Sequence, residues 1–191
     1  MRISMRVIVA ITGSSGAVYG LRFLRACSRL GVETDLIISR AAETIIEHEL
    51  KMRIDDVRKL STRSYGPDEL TAPISSGSCQ LDGMVIIPCS MKTMAAVASG
   101  FTADLISRAA DVTLKQGRPL VLVPRETPLS LIHIENMLKL KRAGAVVLPA
   151  SPAFYHSPEK IDDLVDYIVG RALEMLGIKH DLYRAWDRRA P

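Results

Sequence analysis

The stretch RVIVAITGSSG, from Arg6 to Gly16, joins a run of apolar residues to a turn bounded by two glycines. The residues from Ala17 to Leu30 carry apolar side chains at helical spacing and stop at Gly31, a residue that commonly ends helices. A short branched apolar run, a tight turn and an amphipathic helix are typical of the first unit of a parallel sheet. We therefore predict a strand over RVIVAIT and a helix after it.

The same alternation continues along the chain and predicts a three-layer α/β fold, a doubly wound parallel sheet with helices on both faces. Four further strands are predicted, at TDLII (34–38), GMVIIP (83–88), PLVLVP (119–124) and GAVVLP (144–149). Further helices are predicted from Arg40 to Glu49, Leu105 to Gln116, Ser130 to Ala143, and from Ile161 onward. The stretch from about Arg53 to Gly77 is rich in Ser, Thr, Gly and Pro, and we interpret it as a loop.

The length and composition bound the classes of protein to which this chain can belong. Its 191 residues are 48% apolar and 24% charged, which favours one globular domain over residues 1–191 with peripheral tails at 1–5 and about 187–191. The net charge of +4 is scattered, which argues against a nucleic-acid partner. No apolar run is long enough for a membrane span and no signal peptide is visible. Three cysteines without metal-ligand spacing favour a reducing, cytoplasmic location.

Every predicted strand ends in residues suited to a binding site. The strands are followed in turn by TGSSG, SR, PCSMKT, PRETP and PASPAFYH. Ligands of such sheets bind beyond the carboxyl ends of the strands, near the point where the winding reverses. The convergence of these five segments at one edge is the main reason to expect a site there.

Two of these segments favour a phosphorylated ligand. The turn from Gly13 to Gly16 and the segment from Pro88 to Thr93 each open a helix, where backbone N–H groups and the helix dipole attract anions. The first turn lacks the G-x-G-x-x-G spacing, and Ser39, not an acidic residue, follows the second strand, so a mononucleotide is favoured over NAD. A plain tight turn, and a Ser90 that only caps its helix, are the alternatives.

Charged and aromatic residues elsewhere are open to two interpretations. Helical spacing places Asp104, Arg108, Asp111 and Lys115 on one face, which more often forms a solvated stripe than a site. Arg125 and Glu126 follow a buried strand: Arg125 suits a phosphate or a flavin carbonyl and Glu126 a proton transfer, with a structural ion pair as the competing explanation. In the loop after the fifth strand, Tyr155 suits a phosphate and Phe154 a pocket wall, with ordinary packing as the alternative.

Asp162, Asp163 and Asp166 match the D-D-x-x-D pattern by which many isoprenoid enzymes hold magnesium diphosphates. Acidic residues in the first turn of a helix are favoured by its dipole, which explains these aspartates without a metal. We therefore predict no metal site.

Taken together, TGSSGAVYG, SSGS (75–78), PCSMKT, RAADVTLK, RPLVLVPRETP and PAFYHSP resemble the UbiX-type flavin prenyltransferases, flavoproteins related to the cysteine-decarboxylase flavoproteins. The resemblance runs from about Val7 to Trp186. It implies a Rossmann-like or flavodoxin-like fold and a dodecamer. It also implies a metal-independent reaction that joins dimethylallyl phosphate to reduced FMN, making prenylated FMN for a UbiD-type decarboxylase.

The resemblance also implies roles for individual residues, some of them completed across subunit boundaries. FMN contacts are implied for Gly13, Ser14, Ser15, Ser39, Ser90, Met91, Lys92, Thr93 and Arg125. Positions around the prenyl phosphate are implied for Arg108, Lys115, Glu126, Tyr155 and Arg171. Because Leu70 stands where some members have an aromatic residue, Trp186 and Phe154 become the candidates for an aromatic wall. Catalytic candidates are Ser15, Glu49, Lys115 and Glu126, with Ser15, Glu49, Glu126 or the phosphate itself taking the proton released on ring closure.

Two other functions remain open from the sequence. An FMN-dependent decarboxylase of a cysteine-derived thiol acid shares the first turn, but such enzymes resemble one another in a P-x-M-N motif where this chain reads PASPAFYH. A non-catalytic flavin carrier needs no second phosphate pocket, so Lys115, Tyr155 and Arg171 would then be idle.

Overall fold

The computed structural model describes residues 5–186, which form one sheet and the helices around it. The strands are β1 (Arg6–Ile11), β2 (Glu33–Ile38), β3 (Arg63–Tyr65), β4 (Gly83–Cys89), β5 (Leu120–Pro124) and β6 (Val146–Val147). The α-helices are α1 (Ala17–Arg29), α2 (Arg40–Leu50), α3 (Ile54–Arg58), α4 (Met91–Ser99), α5 (Leu105–Lys115), α6 (Leu131–Arg142) and α7 (Ile161–Met175). None of these helices is long and apolar enough to cross a membrane.

All strand pairs are parallel, in the order β3-β2-β1-β4-β5-β6. The central strand β1 pairs with β2 on one side and with β4 on the other. The winding therefore reverses between β1 and β4, which is the position where such sheets bind ligands. The predicted fold class, a doubly wound parallel α/β sheet, is confirmed.

Two apolar layers cover the sheet because alternate side chains of each strand point to opposite faces. Val7 and Val9 belong to the layer under α1, α2 and α7, whereas Ile8 and Ala10 belong to the layer under α4, α5 and α6. Helix α1 lies very close to the sheet at Gly20, where a Cβ atom would come within 2.6 Å of the Ile87 carbonyl oxygen. This burial on both faces explains the continuous apolar runs of the strands.

The structure differs from the predicted elements in three places. The stretch predicted as a loop, residues 53–77, contains α3, the edge strand β3 and a 3₁₀ turn at Pro73–Ser75. The last predicted strand is only two residues long. Met5, predicted to lie in a tail, packs against the core, and its carbonyl accepts the Glu33 N–H at 2.8 Å. The other residues of the two predicted tails lie outside the described residues, and a single domain stays a prediction.

Candidate functional site

A cleft of about 600 Å³ lies at the carboxyl edge of the sheet, where β1, β2, β4 and β5 end. It is lined by Gly13, Ser14, Ser15, Ser39, Arg40, Ala41, Pro67, Asp68, Ser90, Met91, Lys92, Thr93, Asp104, Arg125 and Glu126. The lining includes every residue for which the sequence implied an FMN contact. The volume falls in the range of small-molecule sites.

Hydrogen bonds join the strand ends into one floor for this cleft. The Thr12 hydroxyl donates to the Pro88 carbonyl at 2.8 Å and accepts the Ser90 N–H at 2.7 Å. The Ser14 hydroxyl donates to the Arg125 carbonyl at 2.8 Å, and Arg125 Nε donates to the Ser15 carbonyl at 3.0 Å. The turn after β1 is therefore fixed both to β4 and to the residue that follows β5.

Two helix N-termini open into the cleft. Ser39 caps α2 and accepts the Ala42 N–H at 3.2 Å, while Ser90 caps α4 and accepts the Thr93 N–H at 3.3 Å. At Gly13 a Cβ atom would stand 2.6 Å from the Ala41 Cβ, so only glycine lets the start of α2 come this close. First-turn N–H groups and helix dipoles make both termini suitable for an anion.

The N-terminus of α1 is occupied by a carboxylate of the protein itself. Glu49 Oε2 accepts the N–H groups of Gly16 at 2.9 Å and Ala17 at 3.0 Å. Burial acts to raise the pKa of Glu49, but the Ser15 hydroxyl, these two N–H groups and the Arg125 charge together lower it below its usual value. The N–H groups of Gly16 and Ala17 are therefore not free, and a phosphate at this turn stays a prediction.

Arg125 and Glu126 face the cleft without pairing with each other. The described residues show no ion pair between them: Arg125 binds the Ser15 carbonyl, and the Glu126 carboxylate accepts the N–H of Thr127 at 3.0 Å. Lys92 and Arg40 are exposed cations of the same lining. The lining of the cleft thus holds both cations and exposed carboxylates, Glu126 and Asp68.

Tyr155, Arg171 and Trp186 lie in a second group, which we call the aromatic cluster together with His156, Tyr167, Glu174, His180 and Tyr183. The Tyr155 ring meets the Trp186 ring edge-on with centroids 5.5 Å apart. Burial, and then a hydrogen bond with Tyr167, raises the pKa of Tyr155, so its hydroxyl stays protonated. Arg171 Nη1 donates to Glu174 Oε2 at 2.5 Å. None of these residues lines the cleft.

Arg108 and Lys115 lie apart from both groups. On α5, Arg108 Nε donates to the Ser75 carbonyl at 3.2 Å and its Nη1 lies 3.4 Å from Asp111 Oδ2. Lys115 is exposed at the end of the same helix. Within one chain, the residues implied for the prenyl phosphate are therefore divided: Tyr155 and Arg171 share the aromatic cluster, Arg108 and Lys115 lie on α5, and Glu126 lies at the cleft. Leu70 and Phe154 are both exposed.

Several site residues were not found from the sequence. Arg40 and Asp68 form an ion pair at the rim of the cleft, but Asp68 belongs to the stretch that we interpreted as a loop. Arg40 could have been found, since it directly follows Ser39 in a strand-end segment. Glu174, His180 and Tyr183 contact the predicted site residue Arg171 or each other, and only the helical spacing of Arg171 and Glu174 pointed to such a contact.

The aspartates of the D-D-x-x-D pattern contact backbone N–H groups and an arginine of the protein itself. Asp163 Oδ2 accepts the backbone N–H groups of Glu159 at 3.0 Å and Lys160 at 3.2 Å at the start of α7. Asp166 is ion-paired with Arg22, which also lies 3.9 Å from Asp162. Within residues 5–186, no group of three or more His, Cys, Asp and Glu is arranged to hold a metal ion.

Comparison with known proteins shows the family of this chain. The flavoprotein family model matches residues 1–173. The flavin prenyltransferase UbiX of Methanothermobacter thermautotrophicus is 45% identical over 97% of this chain and 97% of its own length. The chain belongs to the UbiX-type flavin prenyltransferase family.

Solved structures of UbiX-type proteins have the same fold. The structure of AnUbiX in complex with FMN and dimethylallyl pyrophosphate is 48% identical with a TM-score of 0.95, covering 96% of this chain and 98% of that one. A dodecameric FMN-dependent UbiX-like decarboxylase from Escherichia coli is 48% identical with a TM-score of 0.94, covering 96% and 100%. An FMN-dependent cysteine decarboxylase, at 16% identity and a TM-score of 0.65, shares the fold alone.

Proposed function

We propose that this protein is a flavin prenyltransferase, which transfers a dimethylallyl group from dimethylallyl phosphate to N5 and C6 of reduced FMN. The observation that carries the proposal is the cleft itself, because four strand ends place the implied flavin contacts around one cavity of suitable size. Its UbiX-type relatives, one of them solved with FMN and dimethylallyl pyrophosphate, support the same activity.

The lining of the cleft favours one orientation of FMN. The N-termini of α2 and α4 have first-turn N–H groups facing the cavity, whereas that of α1 is taken by Glu49. The phosphate of FMN therefore belongs between Ser39 and Ser90, with Lys92 beside it. We then expect the flavin ring to lie toward Ser15, Arg125 and Glu126 of the same lining.

The aromatic cluster is suited to the prenyl phosphate. Arg171 and Tyr155 supply a cation and a hydroxyl donor for a phosphate, and Trp186 with Tyr155 supplies aromatic faces for an allylic group. Because Arg108 and Lys115 lie elsewhere on the chain, we propose that neighbouring subunits complete the pocket around each cleft. Phe154, exposed in the same loop as Tyr155, is a further candidate for its wall.

The reaction needs neither an oxidant nor a metal to balance. The bond between the allylic carbon and the phosphate oxygen breaks with its electron pair leaving on the phosphate, while reduced N5 forms the new bond and gives up its proton. Ring closure adds a proton to the remaining double bond and removes one from C6. The Ser15 hydroxyl faces the cleft and contacts the Glu49 carboxylate, so this pair is suited to accept that proton, with Glu126 or the phosphate as alternatives.

The exposed apolar surface of α6 favours assembly of several subunits. Leu131, Ile134 and Leu138 form an exposed apolar stripe along α6, with exposures of 69%, 50% and 49%. A relative with a TM-score of 0.94 is dodecameric. We propose that this chain forms a dodecamer in which subunit contacts cover the stripe. A UbiD-type decarboxylase as recipient of the product, and a cytoplasmic location, stay predictions.

Two incubations separate the candidate functions, one with a prenyl donor and a second with a peptide that ends in cysteine. The protein is mixed with reduced FMN and dimethylallyl phosphate, and the extracted flavin is examined by mass spectrometry. A prenyltransferase yields a flavin heavier by one dimethylallyl group. A flavin carrier yields unchanged FMN, and a thiol-acid decarboxylase yields unchanged FMN but releases CO₂ from a peptide with a C-terminal cysteine. Unchanged FMN from folded protein that has bound FMN would overturn the proposal.

A further inference from the structure

Glu174 occupies the centre of the aromatic cluster. On α7 it lies one turn after Arg171 and two turns after Tyr167, so the three side chains share one face of the helix. Its Oε2 accepts from Arg171, and its Oε1 accepts from the Tyr183 hydroxyl at 2.5 Å. His180 Nε2 lies 3.3 Å from the same Oε1. Both carboxylate oxygens are thus engaged, one by Arg171 and the other by the segment that follows α7.

The Tyr183 hydroxyl, which donates to Glu174, stays protonated near neutral pH. Burial, together with the hydrogen bond to Glu174, raises the pKa of Tyr183 to about 12. The Tyr183 hydroxyl therefore remains a donor to Glu174 throughout the physiological range. A Cβ atom at Gly170 would stand 2.6 Å from Tyr183 Cε1 and from His180 Cε1, so the bare backbone at Gly170 lets this segment reach Glu174. The carboxylate is fixed before any ligand binds.

The Glu174 carboxylate holds Arg171 but does not occupy all of its hydrogen-bond donors. The ion pair with Glu174 engages one of the several N–H donors that a guanidinium carries, and the guanidinium also contacts the Tyr183 hydroxyl. The Arg171 side chain keeps 39% of its surface exposed, so donors remain accessible near Tyr155. An exposed helix pair at this spacing adds little to stability. The main consequence of the ion pair is that the long, flexible Arg171 side chain is confined to one position.

We infer that Glu174 is a positioning residue for the prenyl phosphate, which holds the Arg171 guanidinium where the phosphate binds. The inference rests on the proposed function for the identity of that phosphate. Glu174 touches neither substrate in this scheme and acts through Arg171. Without it, Arg171 must be ordered at the moment of binding, and that entropy loss weakens phosphate binding but leaves the chemical step intact.

The test compares Glu174→Gln and Glu174→Asp with the wild-type protein at saturating reduced FMN. We expect Glu174→Gln to raise KM for dimethylallyl phosphate about three- to tenfold, with kcat changed less than about twofold and FMN affinity unchanged. Glu174→Asp, which keeps the charge on a shorter side chain, restores part of the loss. Asp166→Asn is the matched control, because it removes another Arg-paired carboxylate from the same helix. An unchanged or lower KM in Glu174→Gln would overturn the inference.

A second measurement separates this inference from the proposed function. Trp186 is the only tryptophan of the chain, and it lies against Tyr155, so its fluorescence reports on the cluster. Titration with inorganic phosphate is expected to change this fluorescence, with a half-saturation about three- to tenfold higher in Glu174→Gln. If the wild-type protein responds in this way but forms no prenylated flavin, the proposed function fails and the role of Glu174 stands. Equal half-saturation in both proteins, or no response, would contradict the role of Glu174.

Discussion

Glu49 holds the start of helix α1 through Gly16, whose backbone N–H reaches its carboxylate at 2.9 Å. Glu49 is the second-last residue of α2, so the contact joins the end of one helix to the beginning of another. The carboxylate neutralises a helix N-terminus that a phosphate would otherwise seek. It also leaves Glu49 ionised beside the Ser15 hydroxyl, at the edge of the cleft.

The first prediction concerns the pH dependence of this contact. A carboxyl whose pKa is lowered on folding stabilises the native state above its unfolded pKa, near 4.5, and loses that contribution as the pH falls through the folded value. Glu49→Gln is therefore expected to reduce the free energy of unfolding at pH 7, by less than about 1 kcal/mol because the group is exposed. The difference from the wild type should shrink below about pH 4.5.

Urea unfolding at pH 7, 5 and 4, read by circular dichroism, measures this difference. Glu47→Gln is the control, since Glu47 is exposed on the same helix and its carboxylate makes no contact with Gly16. If the difference in the free energy of unfolding between Glu49→Gln and the wild type grew as the pH fell, the prediction would be wrong. Prenylation should also fall in Glu49→Gln if the carboxylate accepts the C6 proton through Ser15.

The second prediction locates the phosphate of FMN. Lys92 lines the cleft at the start of α4, so Lys92→Met should weaken FMN binding about three- to tenfold, less than a buried charged contact because Lys92 is exposed. Riboflavin lacks the phosphate, and its affinity should stay unchanged. Fluorescence titrations of both flavins measure the two affinities, with Lys139→Met on α6 as the control. Equal weakening for FMN and riboflavin would place the phosphate elsewhere.

The third prediction separates the prenyl phosphate from the flavin. Arg171→Ala should retain FMN but lower prenylation at subsaturating donor by roughly ten- to a hundredfold, the cost of a charge-assisted contact. Tyr155→Phe should lower it less, because it removes one neutral donor. Product formation and the FMN content of the purified protein are measured together. Release of FMN from Arg171→Ala, or a wild-type rate, would show that the cluster does not hold the donor.

The fourth prediction concerns assembly. Replacing Leu131 and Leu138 together with glutamate puts charges on the apolar stripe of α6 and should yield species smaller than the dodecamer. Light scattering during size-exclusion chromatography gives the masses, and Lys139→Glu on the same helix is the control. Prenylation should fall with dissociation if neighbouring subunits supply Arg108 and Lys115. An intact dodecamer in the double variant would place the interface elsewhere.

Long apolar runs made most of the sheet predictable from the sequence. Strands β1, β4 and β5 are buried on both faces, so apolar side chains occupy consecutive positions and mark them clearly. β3 was missed because it is a three-residue edge strand whose Arg63 and Ser64 are exposed. Such a strand is held by backbone pairing with β2 and needs no apolar pattern.

In the site, too, some residues could be predicted from the sequence and others could not. Residues at strand ends were predictable, because the carboxyl ends of parallel strands meet at one edge. The contact of Glu49 with Gly16 was not predictable, since it depends on how α2 packs against α1 and joins residues 33 positions apart in the chain. Nor was the approach of Tyr183 to Glu174, which requires the turn after α7 to fold back over Gly170. Both depend on tertiary packing that no local spacing reveals.

The close approach of Gly13 and Ala41 has a consequence for how this chain can vary in evolution. With a Cβ at position 13 only 2.6 Å from that of Ala41, the two positions share space for a single methyl group. An alanine at position 13 is therefore compatible with the cleft only if position 41 becomes glycine at the same time. Among relatives that keep the cleft, these two positions should co-vary as Gly–Ala or Ala–Gly, and a chain with side chains at both should have α2 displaced.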